Sequence, residues 1–113
     1  MSRSPVSNAP YRVEWTEESE GDALSIVSHF DSAINAERVI ARFEKRASSL
    51  AVFPLRGRIV LELERIGVAT FREVFTGPWR MLYRVDGHVV FIVAVFDGRR
   101  DLAEVLFERF IRP

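Results

Sequence analysis

Two tight turns between β-rich runs constrain this chain more than any other feature. Residues 70–100 read TFREVFTGPWRMLYRVDGHVVFIVAVFDGRR, with Gly77-Pro78 and Asp86-Gly87 separating segments rich in β-branched and aromatic residues. An Asp-Gly pair between such runs is a strong hairpin signal, because a type I′ turn requires positive φ at both central residues. The sequence therefore predicts a three-stranded antiparallel meander.

The register of these hairpins assigns each side chain to a face of the sheet. If both pairs form two-residue loops, Val85 lies opposite His88 and Thr76 lies opposite Trp79. Side chains alternate along a strand and paired residues share a face. One face would then hold Phe71, Glu73, Phe75, Arg80, Leu82, Arg84, Val89, Phe91, Val93 and Val95, and the other would hold Arg72, Val74, Trp79, Met81, Tyr83, Val90, Ile92, Ala94 and Phe96.

The segment before the meander predicts a strand and a helical hairpin. Residues 11–15 alternate apolar and polar side chains, which indicates a half-buried strand. Thr16 is a suitable N-cap for a first helix over residues 17–32, and Asn35 is the expected cap of the second helix. The second helix would bury a stripe formed by Ala36, Val39, Ile40, Phe43, Ala47 and Leu50.

The last strand of the meander is apolar on both faces, so it requires cover on each side. A C-terminal helix over residues 102–111, with surplus apolar surface, would supply part of that cover. The conformation of residues 59–67 stays open. The predicted fold is α+β in the order β-α-α-β-β-β-α: an N-terminal strand, an antiparallel helical hairpin packed on the meander, and a C-terminal helix.

Length and composition narrow the class of protein. With 113 residues, the chain fits one domain at 11–113 after a flexible tail at 1–10. It has no cysteine and no apolar run of the roughly 20 residues that span a bilayer, which favours a cytoplasmic protein without a membrane partner. Its zero net charge gives no case for direct sequence-specific DNA binding.

The residues with chemical potential are arginines on the predicted sheet. Neither histidine, His29 or His88, belongs to a metal-ligand pair, and the glycines form no phosphate loop, so no metal or cofactor is expected. Arg80 and Arg84 would share a face with Glu73, where a cross-strand ion pair is one interpretation and partner recognition is the other. The recognition residues would be Arg72, Trp79, Arg80, Tyr83, Arg84, Phe107 and Phe110.

Several segments together resemble the RelE/ParE superfamily, the toxins of bacterial type II toxin-antitoxin modules. They are residues 11–15, LAVFP at 50–54 with Gly57-Arg58, FREV at 71–74, GPWR at 77–80 with LYR at 82–84, and DGRRDL at 97–102. The resemblance implies a helical hairpin on an antiparallel sheet with a C-terminal helix. It also implies a cognate antitoxin, encoded beside the toxin, whose flexible segment folds onto it.

The superfamily divides by target. RelE-like members cut messenger RNA on the ribosome with basic side chains and often a terminal His or Tyr, whereas ParE-like members inhibit DNA gyrase without a catalytic site. In the ribonuclease interpretation the catalytic residues would be Arg80, Arg99 and Arg100, but residues 102–113 contain neither His nor Tyr. Arginine is a poor base because it stays protonated. This departure from the ribonuclease pattern favours the ParE-like class. Loss of toxicity is a third alternative.

Overall fold

The computed structural model of the protein describes residues 10–111, and side chains as far as Arg109. The predicted tail therefore lies outside the described residues, except for Pro10. The elements are β1 (Arg12–Trp15), α1 (Glu17–Val27), α2 (Ala33–Ser48), a 3-10 turn (Ser49–Ala51), β2 (Arg58–Ile59), α3 (Leu61–Glu64), β3 (Phe71–Thr76), β4 (Trp79–Asp86), β5 (Val89–Asp97) and α4 (Leu102–Ile111). The predicted α+β order is confirmed; α3 forms within the segment 59–67 that the sequence left open, and β2 begins one residue before that segment.

The strands form one five-stranded sheet in the order β1-β5-β4-β3-β2. The meander β3-β4-β5 is antiparallel, whereas β1 runs parallel to β5 and pairs with its first half, from Val89 to Ile92. The α1-α2 hairpin connects β1, at one edge of the sheet, to β2 at the other edge. The remaining half of β5 is flanked by side chains of α1 and α4 instead of by a strand.

The first predicted turn is confirmed and the second is displaced by one residue. Thr76 pairs with Trp79 as expected, but the second loop is Gly87-His88, with Asp86 opposite Val89. Among the described residues positive φ occurs only at glycines, including Gly87 at +59°. A glycine at the first loop position followed by an ordinary residue is the type II′ pattern. The docking of β1 supports this geometry, because the Arg12 N–H donates to the carbonyl oxygen of His88 at 2.9 Å.

A β-bulge corrects the predicted faces at the end of β5. Leu82 pairs with Ala94 while Tyr83 pairs with Ile92, so Val93 is the extra residue on β5. A bulge of this kind shifts the alternation of every residue beyond it. Ala94 and Phe96 therefore lie on the face of Leu82, and Val95 lies on the opposite face, against the prediction for all three.

The helix boundaries also differ from the prediction. The α1 helix ends at Val27, where the Ser28 hydroxyl turns back to the Ser25 carbonyl oxygen at 2.7 Å. The N-cap of α2 is Ser32, whose side chain accepts a hydrogen bond from the Asn35 N–H, so the predicted Asn35 cap is wrong. Serine hydroxyls compete for backbone groups in this way and break a helix into two.

The sheet separates two apolar cores. On one side, the α1-α2 hairpin packs on a cluster that includes Phe43, Leu50, Met81, Tyr83 and Ile92. On the other side, α4 packs on a cluster formed by Val60, Leu82, Ala94, Phe96, Leu102 and Val105. The two clusters together enclose β4 and β5, as the apolar character of β5 required. None of the helices in the described part of the chain has the length and apolar character needed to cross a membrane.

Candidate functional site

Arg80 occupies the centre of a charge network on the α4 face of the sheet. Its Nε donates to Glu73 Oε1 at 2.6 Å, and its two Nη atoms donate to the carboxylate of Glu62 at 2.9 and 3.1 Å. Glu73 also accepts from Arg58 Nε at 2.8 Å. The Arg80 side chain is 7% exposed and that of Glu73 is 0% exposed. We call these four residues the Arg80 network.

The network holds Arg80 charged, with each of its three side-chain nitrogens donating to a carboxylate. Burial lowers the pKa of the Arg80 guanidinium, but hydrogen bonds to Glu62 and Glu73 outweigh that effect, so the pKa is raised. The hydrogen bonds from Arg80 lower the pKa of Glu62. The guanidinium also lies over the Phe96 ring, 5.1 Å from its centroid. The predicted cross-strand ion pair between Glu73 and Arg80 is present, and it is buried.

The other predicted residues of β4 lie apart from Arg80. Trp79 and Tyr83 face the helical hairpin, where Trp79 packs edge-on against Phe43 at 5.2 Å and Tyr83 is fully buried. Arg84 shares the face of Arg80 but stacks on the Phe91 ring at 4.5 Å. The structure therefore does not bring Arg80 and Arg84 together with Trp79 and Tyr83 in one cluster.

Arg72 and Tyr83 have a shared role in holding a loop. Tyr83 OH donates to the Pro54 carbonyl oxygen at 2.8 Å and accepts from the Gly57 N–H at 2.9 Å. Arg72 Nη1 donates to the Gly57 carbonyl oxygen at 2.8 Å. Burial raises the pKa of the Tyr83 hydroxyl, against the hydrogen bond from Gly57 and the nearby arginine charges. The Tyr83 hydroxyl is thus committed to contacts within the protein, whereas Arg72 contributes only its Nη1 atom to the loop.

The two arginines after β5 are also paired. Arg99 is held by Asp97, with Nη2 to Oδ2 at 2.7 Å, and these hydrogen bonds lower the pKa of Asp97 to about 2. Arg100 lies 2.8 Å from Glu108 and 3.4 Å from Glu104. The three arginines of the ribonuclease interpretation therefore each face a carboxylate.

Phe107 lies on the surface of α4 with 64% of its area exposed. It remains available to a partner, as the surplus apolar surface of this helix suggested. The side chain of Phe110, the second apolar residue predicted for recognition, lies outside the described residues.

A cavity of about 730 Å³ lies between α1, α4 and the unpaired half of β5. Its wall contains the ion pair of Asp22 with Arg109, at 2.6 Å, together with His29 and Arg100. Burial raises the pKa of Asp22, while hydrogen bonds from Val95 and Arg109 lower it. Four carboxylates line this cavity against two arginines, which disfavours an anionic ligand: Glu18, Asp22, Asp97 and Glu108. In the described residues no group of three His, Cys, Asp or Glu side chains could hold a metal ion.

Sequence reasoning missed a surface on the loop between the 3-10 turn and β2. Val52, Phe53 and Leu55 are 62–65% exposed and, with Pro54 and Arg56, border a depression of about 560 Å³. We call residues 52–56 the loop platform. The available signal was the run VFPL, an apolar run interrupted by a proline that ends the preceding helix.

Comparisons with known proteins agree on one family. A family model described as the ParE toxin of the type II toxin-antitoxin system parDE matches residues 13–102. Toxin ParE3 from Caulobacter vibrioides is 38% identical over 71 residues, which cover 63% of this chain and 67% of the relative.

Two solved structures have similar folds. A chain of the chromosomal ParDE system from P. aeruginosa has a TM-score of 0.58 at 17% identity, over 77% of this chain and 95% of its own. A chain of the toxin-antitoxin complex RelBE2 from Mycobacterium tuberculosis has a TM-score of 0.58 at 26% identity, over 78% and 98%.

Proposed function

The chain belongs to the ParE toxin family of type II toxin-antitoxin systems, within the RelE/ParE superfamily, and we propose that it inhibits DNA gyrase when its antitoxin is absent. The observation that carries this proposal is that Arg80 is buried and each of its three side-chain nitrogens donates to a carboxylate of the protein. A ribonuclease stabilises charge on a phosphate in flight with a cation aimed at the substrate. In this chain the Arg80 guanidinium is buried and donates its hydrogen bonds to Glu73 and Glu62.

The groups needed for proton transfer are also badly placed for RNA cleavage. Cleavage through the 2′-hydroxyl requires one group to take a proton and another to give one. Tyr83 is buried on the face opposite Arg80, and the His88 ring stacks on Tyr11 with centroids 4.6 Å apart. His29 lines the carboxylate-rich cavity, which repels phosphate. This supports a toxin that acts by binding.

The proposed antitoxin contact lies on the α4 face. A flexible antitoxin segment would cover Phe107 with apolar side chains, and its carboxylates would meet Arg84, whose side chain is 38% exposed. Segments that fold on binding cover large surfaces in this way. Arg80 and Arg72 contribute by holding the sheet and the loop in place.

The test compares the two targets with one toxin preparation freed of antitoxin. We expect inhibition of gyrase supercoiling or trapping of cleaved DNA, and no cleavage of ribosome-bound messenger in toe-printing. Cuts in the A-site codon with normal gyrase would refute the gyrase proposal in favour of a ribonuclease. If the protein affects neither gyrase nor messenger RNA but still forms a complex with the antitoxin, it is a non-toxic antitoxin-binding protein.

The antitoxin contact is tested by affinity. Phe107→Ala should weaken binding of the antitoxin by about tenfold or more if the exposed ring is an anchor. Leu24→Ala is the control, since Leu24 is 63% exposed on α1 and lies outside the proposed contact. Equal affinity of both variants would place the antitoxin elsewhere on the surface.

A further inference from the structure

The loop platform exposes apolar side chains although its backbone is fixed. The Tyr83 hydroxyl bridges the Pro54 carbonyl oxygen and the Gly57 N–H, and Arg72 binds the Gly57 carbonyl oxygen. At Gly57 a Cβ would come within 2.6 Å of the Glu73 carbonyl oxygen, so the loop is packed directly on β3. Surface that is ordered before binding costs less conformational entropy when a partner docks.

The cations around the platform have no carboxylate partners. Arg56 borders the depression of the loop platform, and Arg72 Nη1 lies 3.4 Å from the Leu55 carbonyl oxygen. Within the part of the chain that the structure describes, neither arginine forms an ion pair. Unpaired guanidinium groups beside apolar surface are suited to carboxylates of a partner.

From these features we infer that the loop platform binds an acidic segment of the toxin's target that carries apolar side chains beside its carboxylates. The inference rests on the proposed function, and it names the surface and the chemistry through which the gyrase would be recognised. The apolar side chains of the segment would cover Val52, Phe53 and Leu55, and its carboxylates would meet Arg56 and Arg72. This surface is separate from the proposed antitoxin contact at Phe107.

Two other occupants fit the platform less well. Residues 1–9 precede β1, which docks beside the platform, but they contain Arg3 and no acidic residue, so they cannot neutralise its cations. Nucleic acid would satisfy the cations, but single strands bind by stacking bases on aromatic rings. Phe53 is the one aromatic residue among residues 52–56, and its neighbours Val52 and Leu55 are aliphatic.

The experiment uses the full chain and two pairs of matched variants. Leu55→Ala is compared with Leu24→Ala, because the two leucines are 62% and 63% exposed. Arg56→Glu is compared with Arg65→Glu, since both are exposed arginines without an ion pair in the described residues. Each protein is first checked for unchanged unfolding, and then assayed for gyrase inhibition, for binding to bare duplex DNA and for growth arrest without antitoxin.

We expect the two platform variants to need about tenfold or more protein for half-inhibition of gyrase, while the two controls match the wild type. If wild type inhibits gyrase and the platform variants do so equally well, the inference is wrong and the proposed function stands. If wild type spares gyrase but arrests growth, the gyrase proposal fails. In that case, loss of arrest in the platform variants supports the inference for another target, and retained arrest overturns it.

The remaining outcomes separate the chemical classes of partner. An effect of Arg56→Glu without any effect of Leu55→Ala, together with binding to bare DNA, would make nucleic acid the partner and overturn the inference. A wild-type chain that neither inhibits gyrase nor arrests growth would refute the proposed function and the inference with it.

Discussion

The Arg80 network and the loop platform use arginine in opposite ways. In the network, Arg80 and Glu73 are buried and every cation faces a carboxylate. At the platform, Arg56 and Arg72 lack carboxylate partners in the described residues and lie beside exposed apolar side chains. The first arrangement stabilises the fold because its charges are already neutralised. In the second, the guanidinium groups can still pair with carboxylates of a partner.

The two regions are joined through β3. The hydrogen bonds of Tyr83 and Arg72 to residues 54–57 form the platform anchor. Glu73 of the network and Arg72 of this anchor are consecutive residues, and alternation sends their side chains to opposite faces of the sheet. A substitution in one region can therefore be compared with one in the other on the same strand scaffold. We expect the network to govern the free energy of unfolding and the platform anchor to govern the local order of the loop.

The largest effect is expected for Arg80→Ala. Removing the guanidinium leaves the carboxylate of Glu73 buried with only Arg58 beside it, and breaking a buried pair from one side costs about 3 kcal/mol or more of unfolding free energy. Denaturant unfolding measures this loss. A variant as stable as the wild type would show that the network is dispensable for the fold.

Two controls separate burial from charge. Arg84→Ala should cost less than about 1 kcal/mol, since the Arg84 side chain is 38% exposed and lies 3.5 Å from Asp86. The double variant Arg80→Leu with Glu73→Leu should recover much of the loss, because apolar side chains can replace a buried ion pair.

A smaller effect is expected for Tyr83→Phe, which breaks the platform anchor. The change leaves the Pro54 carbonyl oxygen and the buried Gly57 N–H without the hydroxyl, at a cost of about 1–3 kcal/mol. Denaturant unfolding measures the total, and hydrogen exchange of the Gly57 amide should accelerate.

Tyr11→Phe is the matched control for the anchor. The Tyr11 ring stacks on His88, and its hydroxyl has no hydrogen-bond partner among the described residues. Its removal should change stability by less than about 0.5 kcal/mol. Equal losses in the two variants would mean that the Tyr83 hydroxyl does not hold the loop.

Local signals in the sequence predicted the scaffold of both regions. The pair Gly77-Pro78 and the alternation in β3 and β4 placed Arg80 beside Glu73 and put Arg72 on the opposite face, and the structure agrees. The bulge at Val93 could not be predicted, because no glycine, proline or other turn residue marks it in the sequence. It moved Ala94 and Phe96 onto the face of Arg80.

The two site regions were less predictable than the strands. The burial of Arg80 depends on Glu62 of α3, which is 18 residues away in a segment whose conformation the sequence left open. The platform depends on contacts between Tyr83 and residues nearly 30 positions earlier. Both are tertiary contacts without a periodic pattern, and pattern-based reasoning detects only local order.

The smallest effect is expected from acid, which should weaken the network and spare the platform anchor. The hydrogen bonds from Arg80 lower the pKa of Glu62 below its ordinary value of 4.5. A carboxyl with a depressed folded-state pKa contributes stability above its unfolded-state pKa, and this contribution is lost as the pH falls through the folded-state pKa. The Glu62 side chain is 43% exposed, so solvent screening limits the contribution to about 0.2–1 kcal/mol.

Glu62→Gln should therefore be less stable than the wild type at pH 6, and the difference should shrink towards zero below pH 4.5. Glu64→Gln, on the same short helix, should track the wild type throughout, and a difference for Glu62→Gln that stays constant with pH would show that the carboxylate charge is not what Arg80 binds.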